Sequence, residues 1–323
     1  MNLKNSDIKL LNYLHYNSDK PATKIAKATG LSREQVEYKI KKYLSEGIVS
    51  QLFTYINYPK LGYNILVSLL LKAKPGKEKE FIEELEKDKN CLSKGEVIGD
   101  YDLFMDLIFK DEKEMNEYVS NLFQENKKYL IDYLILKSFF AEYYPMKFLT
   151  KSLDKQQKIE SFEIEDNVKT KIKIDSKDKI ILKMISQDAR VKIVDIAEEV
   201  KLTPEAVLYR IRKLEKEKVI LDSSMIFNTK KLGYHFADIL IEVNPFSSEI
   251  QEKIKKFSRH NKMVNHLLFL LNQPNCLIQI IFKTQDELEE TIKEIKSIFQ
   301  EESIKLKILF PKLEEKVNSI PFY

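Results

Sequence analysis

Twice along this chain, apolar residues recur three and four positions apart while cations fill the opposite side. In residues 31–46, Val36, Ile40 and Tyr43 form one stripe, and Arg33, Lys39, Lys41 and Lys42 lie around it. In residues 202–217 the stripe is Val207, Ile211 and Leu214, and the cations are Arg210, Arg212, Lys213 and Lys216. Both stretches predict amphipathic helices with defined starts: Ser32 has Gln35 three residues on, a capping-box spacing, and Thr203 precedes Pro204 at the first helical position. Ahead of the first lie a helix at 7–16 (Ile8, Leu11, Leu14) and a short one at 24–29, which Gly30 ends. Two helices joined by a tight glycine turn, the second with a basic outer face, form the pattern of a helix-turn-helix.

After Gly47 the period changes from helical to alternating. Strands are expected at 48–57, 63–73, 96–98, 103–109 and 131–140, and helices at 78–87 and 113–123. The order β-α-β-β-α-β after the first strand predicts one helical layer on one antiparallel sheet, the ferredoxin-like arrangement. The same order returns with strands at 235–243, 264–271, 277–282 and 304–310 and helices at 249–257 and 286–299. The repeat is literal in places. A constant offset of 171 residues pairs Asp7 with Asp178, Ile25-Ala26 with Ile196-Ala197, Leu31 with Leu202, and Leu61-Gly62-Tyr63 with Leu232-Gly233-Tyr234. The expected class is therefore α+β, with two copies of a winged or tri-helical helix-turn-helix followed by a ferredoxin-like domain. The boundaries are 1–50, 51–149, a charged linker at 150–173, 174–222 and 223–323.

Composition narrows the function classes. At 323 residues with 43% hydrophobic content the chain can fill several cores. Cys91 and Cys276 form no disulfide framework or metal-ligand spacing, the four histidines show no ligand spacing, and no apolar run reaches membrane-spanning length. A cytoplasmic protein without cofactor or metal is expected. The net charge of +4 is modest, but residues 1–50 carry all of it, with nine basic against five acidic side chains, whereas 174–222 hold eleven against ten. No glycine-rich phosphate loop, nucleophile elbow or HExxH occurs, so the helix-turn-helix units carry the chemistry. Double-stranded DNA is the expected partner. Ser32, Arg33, Glu34, Gln35 and Tyr38 at the start of the first basic helix, and Thr203, Glu205, Ala206 and Tyr209 in the second, are the base-facing and capping set. Lys39, Lys41 and Lys42, with Arg210, Arg212 and Lys213, are the phosphate set. Because Arg33 and Gln35 become Pro204 and Ala206, the copies should read unlike half-sites.

In order and spacing these elements resemble the Lrp/AsnC family of archaeal and bacterial transcription regulators. The resemblance is carried by residues 174–220 in the second copy. In the first it rests on Asp7, Ile25-Ala26, Leu31-Ser32, Lys39, Gly47-Ile48-Val49, Leu61-Gly62 and the turn Gly99-Asp100-Tyr101-Asp102. It implies a sequence-specific regulator, fused here into an intramolecular pseudo-dimer with room for further homo-oligomerisation. An amino acid or similar small effector would bind near Gly99–Asp102, which becomes Asn272-Gln273-Pro274-Asn275 in the second copy. Three departures stand out: that turn, Lys201 in place of Gly30, and Asp19 where the second copy has Arg190, the residue usual in the family. Two alternatives share the architecture: a tetrapyrrole enzyme resembling the sirohaem decarboxylases, for which Arg259, His260 and His266 would be the suspects, and a scaffold that has lost DNA binding.

Overall fold

The computed structural model describes residues 3–85, 91–144, 146–149, 160–163, 172–299 and 302–312. The first head comprises α1 (Asn5–Asn17), α2 (Ala22–Thr29) and α3 (Arg33–Ser45). Leu10, Leu11, Leu14, Ile25, Val36, Ile40 and Tyr43 close its core, the three-and-four spacing having put them all inward. It is followed by β1 (Val49–Ile56), β2 (Ile65–Ala73), α4 (Glu78–Leu85), β3 (Cys91–Ile98), β4 (Leu103–Phe109), α5 (Glu112–Glu125) and β5 (Leu130–Tyr143). Most of the expected linker lies outside the described residues. Within it β6 (Glu160–Glu163) pairs with Phe140–Tyr143 of β5.

The second copy supplies α6 (Ser176–Gln187), α7 (Ile193–Val200), α8 (Pro204–Lys216), β7 (Ile220–Phe227), β8 (His235–Asn244), α9 (Ser248–His260), β9 (Val264–Leu270), β10 (Cys276–Phe282), α10 (Gln285–Ser297) and β11 (Ser303–Lys312). The turn after α7 takes the left-handed conformation at Lys201, with φ 52°, as Gly30 does at 72° after α2. A side chain costs roughly 1 kcal/mol in that region, partly offset by the greater freedom glycine gives the unfolded chain. Lys201→Gly should therefore raise the urea midpoint of unfolding slightly, by about 0.5 kcal/mol of stability or less. A lower midpoint would mean that the Lys201 side chain stabilises the turn.

Neither head closes on itself with a wing hairpin. The strand after each head instead pairs antiparallel with its counterpart, β1 with β7, with Leu52 opposite Met225 and Thr54 opposite Ser223. Each head thereby packs on both copies: Met225 and Leu232 enter the first core, and Ile56 and Leu61 the second. The ferredoxin-like sheets have the orders β5-β2-β4-β3 and β11-β8-β10-β9. They join at two seams, Glu96–Ile98 with Phe310–Lys312 and Ser138–Tyr143 with His266–Leu270. Eight strands thus close into a barrel through these two seams.

Helices α4, α5, α9 and α10 cover the outer faces, over cores built around Phe81 and Phe109 in one copy and Ile254 and Phe269 in the other. Inside the barrel, Leu70, Val97, Phe104, Leu136, Leu240, Leu268 and Leu309 form an apolar layer. Next to it runs a polar one. Ser68 and Ser93 both donate to Asp106, and Gln279 donates to Asp238 at 2.9 Å. Burial, with the Asp106 charge added, pushes the Asp238 carboxyl up to about 7.

Candidate nucleic-acid interface

The two helices expected to read DNA start as their sequences dictate. The Ser32 hydroxyl accepts from the Gln35 backbone at 3.2 Å, while the Gln35 side-chain oxygen accepts from the Ser32 backbone at 2.9 Å. In α8 the Thr203 hydroxyl accepts from the Ala206 backbone at 3.3 Å, and Pro204 occupies the first turn. From these fixed starts the outward side chains follow by rotation along the helix. Tyr38 and Tyr209, 171 residues apart, are 67% and 70% exposed. Glu34 and Glu205 share their side of the first turn, with Glu34 accepting from the Ser32 hydroxyl at 2.9 Å. Lys41, Arg212 and Lys213 are exposed, and Lys42 is half-exposed with a loose 3.8 Å approach to Glu46.

Two of the sequence-predicted cations do other work, and two side chains of the first turn of α3 are partly engaged within their own helix. Lys39 is no free phosphate ligand: its ammonium pairs with Asp7, which also accepts from the Tyr43 hydroxyl at 2.5 Å. Arg210 repeats this, donating to Asp178 at 2.7 Å and Asp175 at 2.8 Å. The reason is spacing. Lys39 is three residues after Val36 and four before Tyr43, and Arg210 bears the same relation to Val207 and Leu214, so both flank the buried stripe and meet α1 or α6. Gln35 spends its carbonyl on the cap, leaving only its amide nitrogen for a base, and Arg33 is engaged by Glu37 at 2.9 Å.

The Gly99–Asp102 turn, expected near an effector site, lies at the seam between the copies. Tyr101 is buried in the barrel, Asp100 pairs with Lys307 at 2.9 Å, and Asp102 accepts from the Ala73 backbone at 2.9 Å. A Cβ at Gly99 would lie 2.6 Å from Leu309, so the turn is pressed onto the other copy.

The tetrapyrrole suspects point to different places. Arg259 donates to the buried Glu142 at 3.0 Å. His260 lies at the exposed end of α9, its Nδ1 2.7 Å from the Lys256 carbonyl. His266 faces Tyr143 across the β5–β9 seam with ring centres 5.3 Å apart, and burial lowers its imidazole to about 4, so it is uncharged.

Between the heads runs a groove of about 300 Å³, floored by Ile40, Leu44 and Leu52 and rimmed by Asp188 and Arg190. Sequence reasoning singled out Arg190 only as a departure between the copies. Its guanidinium crosses to the first head and donates from Nη1 to the Ser18 and Lys20 carbonyls, at 3.0 and 2.9 Å.

Two capped, cation-bearing helices on paired tri-helical heads repeat one helix-turn-helix unit, and comparison with known proteins agrees with a DNA-binding regulator. Residues 3–50 and 174–220 each match the winged helix-turn-helix DNA-binding family model. The HTH-type transcriptional regulator FL11 of Pyrococcus furiosus is 31% identical over 117 residues, 36% of this chain and 78% of that regulator. LrpA of Pyrococcus horikoshii is 37% identical over 86 residues, 26% of this chain and 61% of its own length. The chain belongs to the Lrp/AsnC family of transcriptional regulators, as a tandem duplication of the family's unit. Over its whole length it is also similar in fold to the crystal structure of the siroheme decarboxylase NirDL, with a TM-score of 0.64, 18% identity, and coverage of 97% of this chain and 92% of that one. At that identity the likeness concerns the fold alone. No helix among the described residues is long and apolar enough to cross a membrane.

Proposed function

We propose that one chain acts as a cytoplasmic regulator without enzymatic activity, and that its two heads engage a single operator with two unlike half-sites. The observation that carries this reading is the pair of exposed tyrosines, Tyr38 and Tyr209, at repeat-equivalent places on α3 and α8, whose heads share the β1–β7 ribbon. Around that shared ring the chemistry differs. Arg33 and Gln35 of the first head face a half-site that Pro204 and Ala206 cannot read by hydrogen bonding, so the halves differ in sequence. Lys41, Lys42, Arg212 and Lys213 hold phosphates, which fixes register without selecting bases. A small effector, in this reading, acts by shifting the relative placement of the heads.

Selection from a pool of random duplexes at two salt concentrations tests this. A site of two unlike halves should be enriched, and its affinity should fall steeply as salt rises, because each neutralised phosphate releases counterion. Enrichment of one half alone would give the second head a structural role. No enrichment, together with a tetrapyrrole absorbance on adding sirohaem, would replace the regulator reading by an enzymatic one.

A further inference from the structure

The link between the heads is one-sided, and that asymmetry has a use. Position 19 is Asp and position 190, its repeat equivalent, is Arg. From the second copy, Arg190 ties down the Ser18 and Lys20 carbonyls at the C-terminal end of α1. The same turn is held twice more by the second copy. The fully buried Ser18 hydroxyl donates to the Ser224 carbonyl at 2.8 Å, and Ser223 accepts from the Asp19 backbone at 2.9 Å while donating to the Asp19 carboxylate. Lys231 then donates to the Glu46 carbonyl at 2.6 Å, just past the C-terminal end of α3. Two cations of one copy thus sit at the two helix ends of the other copy's head where cations are most favourable. In the reverse direction the links come from neutral groups: Gln51 donates to the Gln187 carbonyl at 3.2 Å, and the Ala189 backbone donates to Leu52 at 2.9 Å.

We infer that Arg190 is a positioning residue that fixes the distance and rotation between the two DNA-reading helices, so that the chain accepts a single half-site spacing. This rests on the proposal that both heads bind DNA. Adding one base pair between half-sites moves them by about 3.4 Å and turns them by about a tenth of a helical turn. Heads locked at one separation lose simultaneous engagement on such a site, and with it an avidity factor of about 10²–10⁴. Heads released from the Arg190 bonds keep the ribbon, the Ser18, Asp19 and Lys231 links and the shared cores, but lose the charged tie between α1 and the second head, and follow the added base pair more readily.

The test uses the full chain and composite duplexes whose half-sites are separated by the selected spacing or by one or two base pairs more or fewer. For the native chain, altered spacing should cost about 10²-fold or more in affinity. For Arg190→Ala the penalty should shrink below about tenfold, with binding to a duplex carrying the first half-site alone unchanged. Arg190→Lys, whose ammonium can also bridge two carbonyls, should restore part of the discrimination. An unaltered spacing profile in Arg190→Ala overturns the inference, and so does an equal loss on the single half-site, which would mean general damage to the heads.

A second measurement does not depend on DNA. Spin labels on Lys27→Cys and Glu198→Cys, both exposed and repeat-equivalent, should give a narrow distance distribution that broadens on Arg190→Ala. The native cysteines, Cys91 and Cys276, are buried. A distribution of unchanged width refutes the latch whatever the DNA experiments show. A broadened one with no DNA binding by the native chain refutes the two-headed regulator and leaves the latch standing.

Discussion

Replacing Asp7 by alanine is expected to destabilise the first head by about 2–4 kcal/mol, a loss read as a fall in the urea midpoint of helical circular dichroism. Asp7 is nearly enclosed and takes three donors: the Lys39 ammonium, the Tyr43 hydroxyl, and the Lys4 backbone at 2.9 Å. Removing it strands a phenol in the core and leaves a lysine, itself only 20% exposed, beside the cavity. The second head offers the control. Arg210 is shared between Asp178 and Asp175, so Asp178→Ala leaves it one carboxylate at 2.8 Å and should cost clearly less.

The pH dependence carries a sign. Burial raises the Asp7 carboxyl, but the Lys39, Tyr43 and Lys4 hydrogen bonds outweigh it and hold the group below its ordinary value. The unfolded chain therefore takes up the proton first. The contribution of Asp7 is present above the ordinary carboxylate pKa of about 3.9 and is lost as pH falls through the lower folded value. Asp7→Ala should remove that part of the acid sensitivity along with the stability. A small loss for Asp7→Ala, or an unchanged acid transition, would show that the pair contributes little, and equal large losses would show that Asp175 does not back up Asp178.

The same ion pairs mark where the sequence stops being informative. Asp7 and Asp178 stand at a common offset, and so do Lys39 and Arg210, yet helical periodicity says which face a residue occupies and not which side chain it meets. A lysine flanking a buried stripe can reach solvent or an acid on the next helix with equal ease. That both copies keep opposite charges at these two places is the available signal. Elements are more legible than partners. Strand and helix order follows from alternation and spacing, but Leu130–Tyr143 runs past its expected end because Ala141–Tyr143 pair with β9 of the other copy, and Cys91–Ile98 starts early because its first residues pair with β4 of their own copy. Glu142 has the sequence surroundings of a strand terminus, whereas it is buried against Arg259.

Barrel closure is hidden for a related reason. Ser68, Asp106, Asp238 and Gln279 alternate with apolar residues, as on a sheet with one wet face. In the structure they hydrogen-bond to one another in the space between two sheets. Periodicity cannot tell a solvated face from one satisfied internally. The seam position of the Gly99–Asp102 turn is hidden by the same gap, since Gly99 and Asp100 show no sequence sign that β11 of the other copy lies against them.

If the exposed cations hold phosphates, changing Lys41, Lys42, Arg212 and Lys213 together to alanine should reduce affinity for the selected operator by roughly 10²–10³-fold at moderate salt. The slope of log affinity against log salt should become shallower by about 3–4, near 0.9 for each phosphate that is no longer neutralised. Stability should change little, because Lys41, Arg212 and Lys213 are exposed and the half-exposed Lys42 makes only a loose surface approach to Glu46. The internal cations should behave in the opposite way. Lys39→Ala and Arg210→Ala remove one partner of an enclosed pair, so they should lower the unfolding midpoint while leaving the salt slope nearly intact. The contrast tests the interface more stringently than any single loss of binding, since an unfolded head also fails to bind. A quadruple variant with an unaltered slope would mean that phosphates are neutralised elsewhere, and a Lys39→Ala variant whose slope falls by about one would return Lys39 to the DNA surface. Distinct slopes with distinct midpoints are what a helix with one face for the core, one flank for its neighbour and one face for the duplex must produce.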